Sequence, residues 1–163
     1  MIRLALLALF LASPALAQDP MVDRDVVVGC FESAETGEIT PPCIGAATER
    51  CIDATPNGST TVGMATCAAA ETAIWDEFLN TTYQDLRAQM REMDADEYAG
   101  DVSRADALRD AQRAWIAFRD AECNFEWAMF QEGTMRTLIA SGCMQNLTAR
   151  RALELRVHME MPG

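Results

Sequence analysis

Six cysteines, Cys30, Cys43, Cys51, Cys67, Cys123 and Cys143, constrain the fold of this 163-residue chain more than any other feature. An even set in a small exported chain reads as three disulfides, which fix the segments that must lie side by side. Export is expected from the start of the chain. Met1-Ile2-Arg3 gives a short basic beginning, Leu4 to Ala12 an apolar run, and Ala15-Leu16-Ala17 a small-x-small cleavage site ahead of Gln18. Residues 1–17 therefore read as a signal peptide, and the location as periplasmic or secreted. The run is too short to span a bilayer and no later stretch approaches ~20 apolar residues, so no stable membrane anchor is expected. Cleavage after Ala17 leaves no cysteine at the new N-terminus, so a lipid anchor is not expected either. Metal thiolates are the rival reading of the cysteines, but no two of them stand as CxxC.

Six cysteines allow 15 pairings, and helical geometry argues for one pair. Ser103 with Asp106 three residues on resembles a capping box. From there Leu108, Ala111, Trp115, Phe118, Phe125 and Met129 recur at helical steps, which predicts a buried stripe. Gln131-Glu132-Gly133-Thr134 breaks the pattern, and Thr134 can cap a second helix with the stripe Leu138, Ile139, Cys143, Leu147 and Val157. Cys123 and Cys143 stand ten residues either side of Gly133. In an antiparallel hairpin rising ~1.5 Å per residue, equal arms bring the two level.

Upstream, the pattern predicts a long helix from about Met64 to Met93, capped by Thr60 or Thr61. Its apolar line is Cys67, Ile74, Trp75, Phe78, Leu79, Tyr83, Leu86, Met90 and Met93, with Glu71 and the other charged residues mostly off it. Thr55-Pro56-Asn57-Gly58-Ser59 and Pro41-Pro42 are breaks, with a short helix from Cys43 to Ile52 between them. Asp23 to Ala34 reads as another helix, although Val26-Val27-Val28 also suits a strand. Nearest-neighbour pairing would join Cys30 to Cys43 and Cys51 to Cys67. The expected fold is all-α: a disulfide-stapled antiparallel helical bundle of a long helix, a C-terminal helical hairpin and short N-terminal helices. Residues 18–59 form a cysteine-containing extension and residues 60–161 the main helical domain.

Charge and composition narrow the function. All 13 basic residues are arginine, and His158 is the single histidine. A lysine Schiff base, a Ser-His or Cys-His pair in a central cleft and a multi-histidine zinc site all lack their residues, so no catalytic residue, metal site or cofactor is expected. Losing residues 1–17 leaves 12 basic against 25 acidic residues, a net charge of −13. A sequence pI near 4.4 repels phosphates, which excludes nucleic acid as a partner. A binding protein is what remains.

Several strings then resemble the LprI-like lysozyme inhibitor family. They are Cys67 with Trp75-Asp76 and Leu79-Asn80-x-x-Tyr83, the run AQRAWIAFRDAEC from Ala111 to Cys123, Gly133-Thr134, Gly142-Cys143, and Leu147-Thr148-x-x-Arg151. The likeness covers roughly residues 60 to 157, with residues 18–59 outside it. It implies an exported, stapled helical domain that inhibits lysozyme as its protein partner. Within the strings, Gln112, Arg119, Glu122 and Glu126 form a polar line beside Trp115 and Phe118. The favoured reading is a structural layer, with Arg119 and Glu122 as an i,i+3 pair joined by Arg151 from the facing helix; the alternative is an exposed recognition strip.

Lysozymes are commonly basic, with two carboxylates in the cleft, so an acidic partner is steered toward them. The candidate contact is the loop Asp94-Ala95-Asp96-Glu97-Tyr98-Ala99-Gly100-Asp101. There Asp94, Asp96, Glu97 and Asp101 would address a basic rim while Tyr98 enters the cleft; a solvated loop is the bland alternative. Two other functions remain open. A structural or adaptor protein of the cell envelope would need the same helices and disulfides. As a minor alternative, Met90-x-x-Met93 and His158-Met159-x-Met161 offer soft ligands for periplasmic Cu(I), although most of the ten methionines are expected to fill the core.

Overall fold

Three of the helices begin where a short polar side chain can take up an orphaned backbone N–H. Asp23 accepts from the Asp25 N–H, Thr60 from the Gly63 N–H and Ser103 from the Asp106 N–H. The computed structural model describes residues 22–95 and 101–160, and among these the chain forms five α-helices and no strand. They are α1 (Arg24–Ser33), α2 (Ala46–Ala54), α3 (Thr61–Asp94), α4 (Arg104–Met129) and α5 (Met135–Glu160). The signal segment 1–17 lies outside the described residues. Val26, Val27 and Val28 are helical, and Val27 enters the core. Tertiary burial overrides a β preference here. Among the described residues no helix is long and apolar enough to cross a membrane.

The α3 helix, with 34 residues and hence about 51 Å of length, is the spine. The chain runs up α3, down α4 and up α5, so α3 and α5 are parallel neighbours. Their shared surface is the main core. Trp75, Leu79 and Leu86 from α3 pack with Ala149, Ala152, Leu153 and Leu155 from α5. Ala149 and Ala152 are fully buried, and their small side chains let the two backbones approach. The α1 helix packs against the middle of α3. Phe31 stacks on Phe78 at 4.7 Å between ring centroids and meets Trp75 edge-on at 6.3 Å, while Arg156 donates to the carbonyls of Phe31 and Ala34.

The short α2 helix has no cap of its own. Its N-cap is Gly45, at φ 95°, where a side chain would be strained. Glu71, reaching from α3, does the capping instead. Its Oε1 accepts from the Gly45 N–H at 2.9 Å and the Trp75 indole at 3.0 Å, and its Oε2 from the Thr48 N–H at 2.6 Å and the Thr48 hydroxyl at 2.8 Å. Gln145 of α5 donates to the same hydroxyl at 2.7 Å. Glu71 is only 1% exposed, so the expectation that it stood off the apolar line was wrong. It sits four residues from both Cys67 and Trp75, in the middle of that line.

The six cysteines pair as Cys30–Cys43, Cys51–Cys67 and Cys123–Cys143, with Cα atoms 5.6, 5.7 and 5.5 Å apart, and none is free. The first two tie α1 to the turn before α2, and α2 to the start of α3. The third locks α4 to α5 where the equal-arm hairpin predicts it.

Two predicted stripes are corrected. On α4, Ala111, Phe118, Phe125 and Met129 are exposed, the last three at 52, 55 and 62%. The face turned inward carries Ala105, Gln112 and Cys123, with Leu108, Trp115, Arg119, Glu122 and Glu126 half-buried. Leu108 and Trp115, the two stripe residues that do turn inward, pack against the hydrophobic core, and the polar residues beside them add hydrogen bonds and aliphatic stems to the contact. On α5, Leu138, Ile139, Cys143, Leu147 and Val157 are half-buried, and the buried face is Gln145, Thr148, Ala149, Ala152, Leu153 and Leu155. The stripe is rotated because α5 faces α3 first and α4 second.

Candidate functional site

Trp115 organises the polar layer between α3, α4 and α5. Its ring is half-buried, with the Arg119 guanidinium carbon 5.2 Å from the centroid and that of Arg151 at 5.9 Å. Arg151 donates from Nε to Gln112 Oε1 at 3.0 Å and pairs with Glu154 at 3.1 Å. Arg119 pairs with Asp120 at 2.9 Å and reaches Asp76 of α3 at 3.9 Å, so it turns away from Glu122 and the expected i,i+3 pair is not formed. Gln112, Trp115, Arg119 and Arg151 are thus brought together. Glu122 stands apart, beside Glu126 in a shallow groove along the hairpin that Gly142 and Asn146 also line. Two cations over one indole ring favour a held ring, since each contact adds attraction to a partly desolvated pair.

The acidic loop divides into two parts. Asp94 closes the end of α3 and reaches across to the start of α4. It accepts from the Arg104 N–H, the Ala105 N–H and the Ser103 hydroxyl at 3.0 Å each, and from the Arg104 guanidinium at 3.3 Å. The Ala105 and Arg104 backbone donors, then Ser103 and the guanidinium, hold its carboxyl below the usual carboxylate range, at about 2. Asp94 is therefore a cap for the start of α4 supplied from the end of α3, with its acceptors already occupied. Asp101 is exposed. Asp96, Glu97 and Tyr98 lie outside the described residues.

At the far end of the bundle, the α4–α5 turn carries Trp127, Phe130 and Met135 on its surface. Arg136 lies over the Trp127 ring at 4.4 Å and donates to the Gln131 carbonyl at 2.8 Å, which ties off the turn. Gln131 takes the left-handed conformation at φ 49°. Among the described residues no group of three or more His, Cys, Asp or Glu is placed to hold a metal ion. Met90 and Met159 pack against the hydrophobic core, His158 is exposed, and Met161 lies outside the described residues.

Residues 51–155 match the model of the lysozyme inhibitor LprI family. The chain belongs to this family. The LprI family is one of inhibitors and not of enzymes. The chain is also 36% identical to an uncharacterized protein of Rhizobium meliloti (strain 1021) over 99 residues, 58% of this chain and 70% of that one. No solved structure matches it. The LprI match opens inside α2, so it takes in Cys51–Cys67 and Cys123–Cys143 and leaves Cys30–Cys43 outside.

Three features of this LprI-family chain escaped the sequence reading. Glu71 and its donors were legible in part, because the steps Cys67, Glu71, Trp75 place an acid on the buried line. The capping role of Asp94 had no local signal, since its partners lie nine to eleven residues away. The outward face of α4 was concealed because two stripes share the helix, and amphipathic pattern alone does not say which one a neighbour covers.

Proposed function

We propose that the protein is exported and inhibits a lysozyme by binding it as a rigid, stapled body through an acidic surface. The observation that carries this reading is the family match over residues 51–155. The net charge of −12 for the whole chain supports it, because an acidic body is drawn toward the basic surface that lysozymes commonly present. The cleft of such an enzyme holds two carboxylates, so added acid is repelled there and attracted only at its rim. With Asp94 committed to capping α4, the loop acids assigned to the rim in this proposal are Asp96, Glu97 and the exposed Asp101. Tyr98 is the uncharged residue among them that can enter the cleft.

The test is a cell-wall lysis assay of the purified, oxidised protein against lysozymes of several families, followed by binding kinetics on any that is inhibited. Inhibition is expected for a basic lysozyme. Association should slow as salt shortens the Debye length from about 10 Å to about 3 Å. Joint replacement of Asp96, Glu97 and Asp101 by Asn, Gln and Asn should lower the association rate. Tyr98→Ala should instead raise the dissociation rate, because a pocket-filling residue acts after encounter. Unchanged kinetics in both variants would remove this loop as the contact. Failure to inhibit any lysozyme would refute the proposal and leave the envelope-adaptor reading, which the uncovered face of α4 favours.

A further inference from the structure

The outward face of α4 has the pattern of a helix-pairing seam. Ala107, Ala111, Ala114, Phe118, Ala121, Phe125 and Met129 follow one another at steps of four, three, four, three, four and four, and all seven are exposed. The first six keep the heptad alternation of a coiled-coil seam. No charged residue interrupts them over a length of about 33 Å. The face that holds the same helix to the bundle is a mixed one, with Gln112 and Arg119 beside Leu108 and Trp115. An amphipathic helix with its apolar side outward leaves a burial opportunity unused.

We propose that this seam pairs antiparallel with the same seam of a second copy of the chain. Three observations favour that occupant. The first is shape: about a two-fold axis, Phe118 can face Ala121 of the second copy while Phe125 faces Ala114, so each large side chain meets a small one and the layers interdigitate. The second is charge. The positions flanking the seam are Leu108, Trp115 and Glu122 on one side and Asp110, Ala117 and Asn124 on the other, and Asp110 is already paired with Arg109 at 2.9 Å. A basic partner would find almost no acid to meet here, whereas a second neutral seam brings no buried ion pair to satisfy. The third is area: two helix faces of this length bury on the order of 1,000 Å² in total, the lower limit for a specific interface. The dimer is accordingly concentration-dependent, and the high net negative charge of each copy makes it tighter, not looser, as salt rises.

Sedimentation equilibrium of the oxidised full-length mature protein, from micromolar to submillimolar concentration at low and high salt, reads this directly. The parent should show a monomer–dimer equilibrium that strengthens at high salt. Phe118→Asp and Phe125→Asp should each weaken it at least about ten-fold, since a carboxylate then lies in an apolar seam. Both side chains are more than half exposed, so circular dichroism should show the fold intact. Val62→Asp is the matched control, an exposed apolar residue on α3 away from the seam, and should shift the equilibrium less than about two-fold. A parent that stays monomeric throughout would overturn the proposal, as would Asp variants that dimerise like the parent. A monomeric parent whose Phe118→Asp variant loses lysozyme binding would reassign the seam to that enzyme. Absence of lysozyme inhibition, by contrast, leaves the dimer measurement unaffected.

Discussion

Replacing Glu71 tests whether one buried carboxylate holds α2 to the bundle. In the native fold it accepts four hydrogen bonds, from Gly45, Trp75 and two groups of Thr48. Glu71→Ala removes all four acceptors at once. Gly45 is only half-buried, so water can reach its N–H, and the Thr48 hydroxyl can rotate. The Thr48 N–H and the indole N–H of fully buried Trp75 have no such escape. At about 1–3 kcal/mol for each stranded donor, with part of the cavity term added, the loss should be about 3–5 kcal/mol. That is a large share of the roughly 5–15 kcal/mol of a typical domain. Glu71→Gln keeps the volume and one oxygen, for Gly45 and Trp75. Its amide nitrogen then faces the Thr48 N–H but can still donate to the hydroxyl, and the cost falls to about 1–2 kcal/mol. Urea unfolding of the oxidised protein, followed by far-ultraviolet circular dichroism, gives both values. Native-state hydrogen exchange should show faster exchange at the Thr48 amide in Glu71→Gln, with the Gly45 amide and α4 little changed. Stability of Glu71→Ala within about 0.5 kcal/mol of the parent would refute the reasoning, because it would mean that water satisfies these donors as well as the carboxylate does.

Trp115→Ala should destabilise by about 2 kcal/mol, below the range for fully buried aromatics because the ring is half-exposed between Arg119 and Arg151; thermal or urea unfolding measures it. Asp94, whose carboxyl is lowered to about 2 from the 3.8 of an ordinary aspartate, contributes stability that is complete above about pH 4 and fades as pH falls toward 2. Asp94→Asn should therefore lower the melting temperature at neutral pH and flatten the acid limb of the stability profile in that window. Loss of Cys123–Cys143 through a double Cys→Ser change should cost about 3 kcal/mol on the chain-entropy model for a loop of 20 residues. Peptide mapping of the unreduced protein should recover Cys123 linked to Cys143 and no free thiol.

What the sequence determined by itself is everything governed by local spacing. Capping residues Asp23, Thr60 and Ser103 mark helix starts because their side chains serve N–H groups two or three residues on, within one turn of chain. The equal arms about Gly133 place Cys123 opposite Cys143 because an antiparallel hairpin has a fixed rise. The apolar line of α3 is legible because that helix touches neighbours along most of its length. The tertiary structure decided which face of α4 is covered. Its helical wheel carries both a polar line through Gln112 and Arg119 and an apolar one through Phe118 and Phe125, and each satisfies a helical period. Burial went to the polar line because Arg151 on α5 and Asp76 on α3 wait to receive it, partners 39 and 43 residues distant in sequence that no local pattern contains. The same holds for Glu71 and Asp94. An acid becomes a cap only when folding brings another helix's free N–H groups to it, and charge alone does not say which acids remain for a partner.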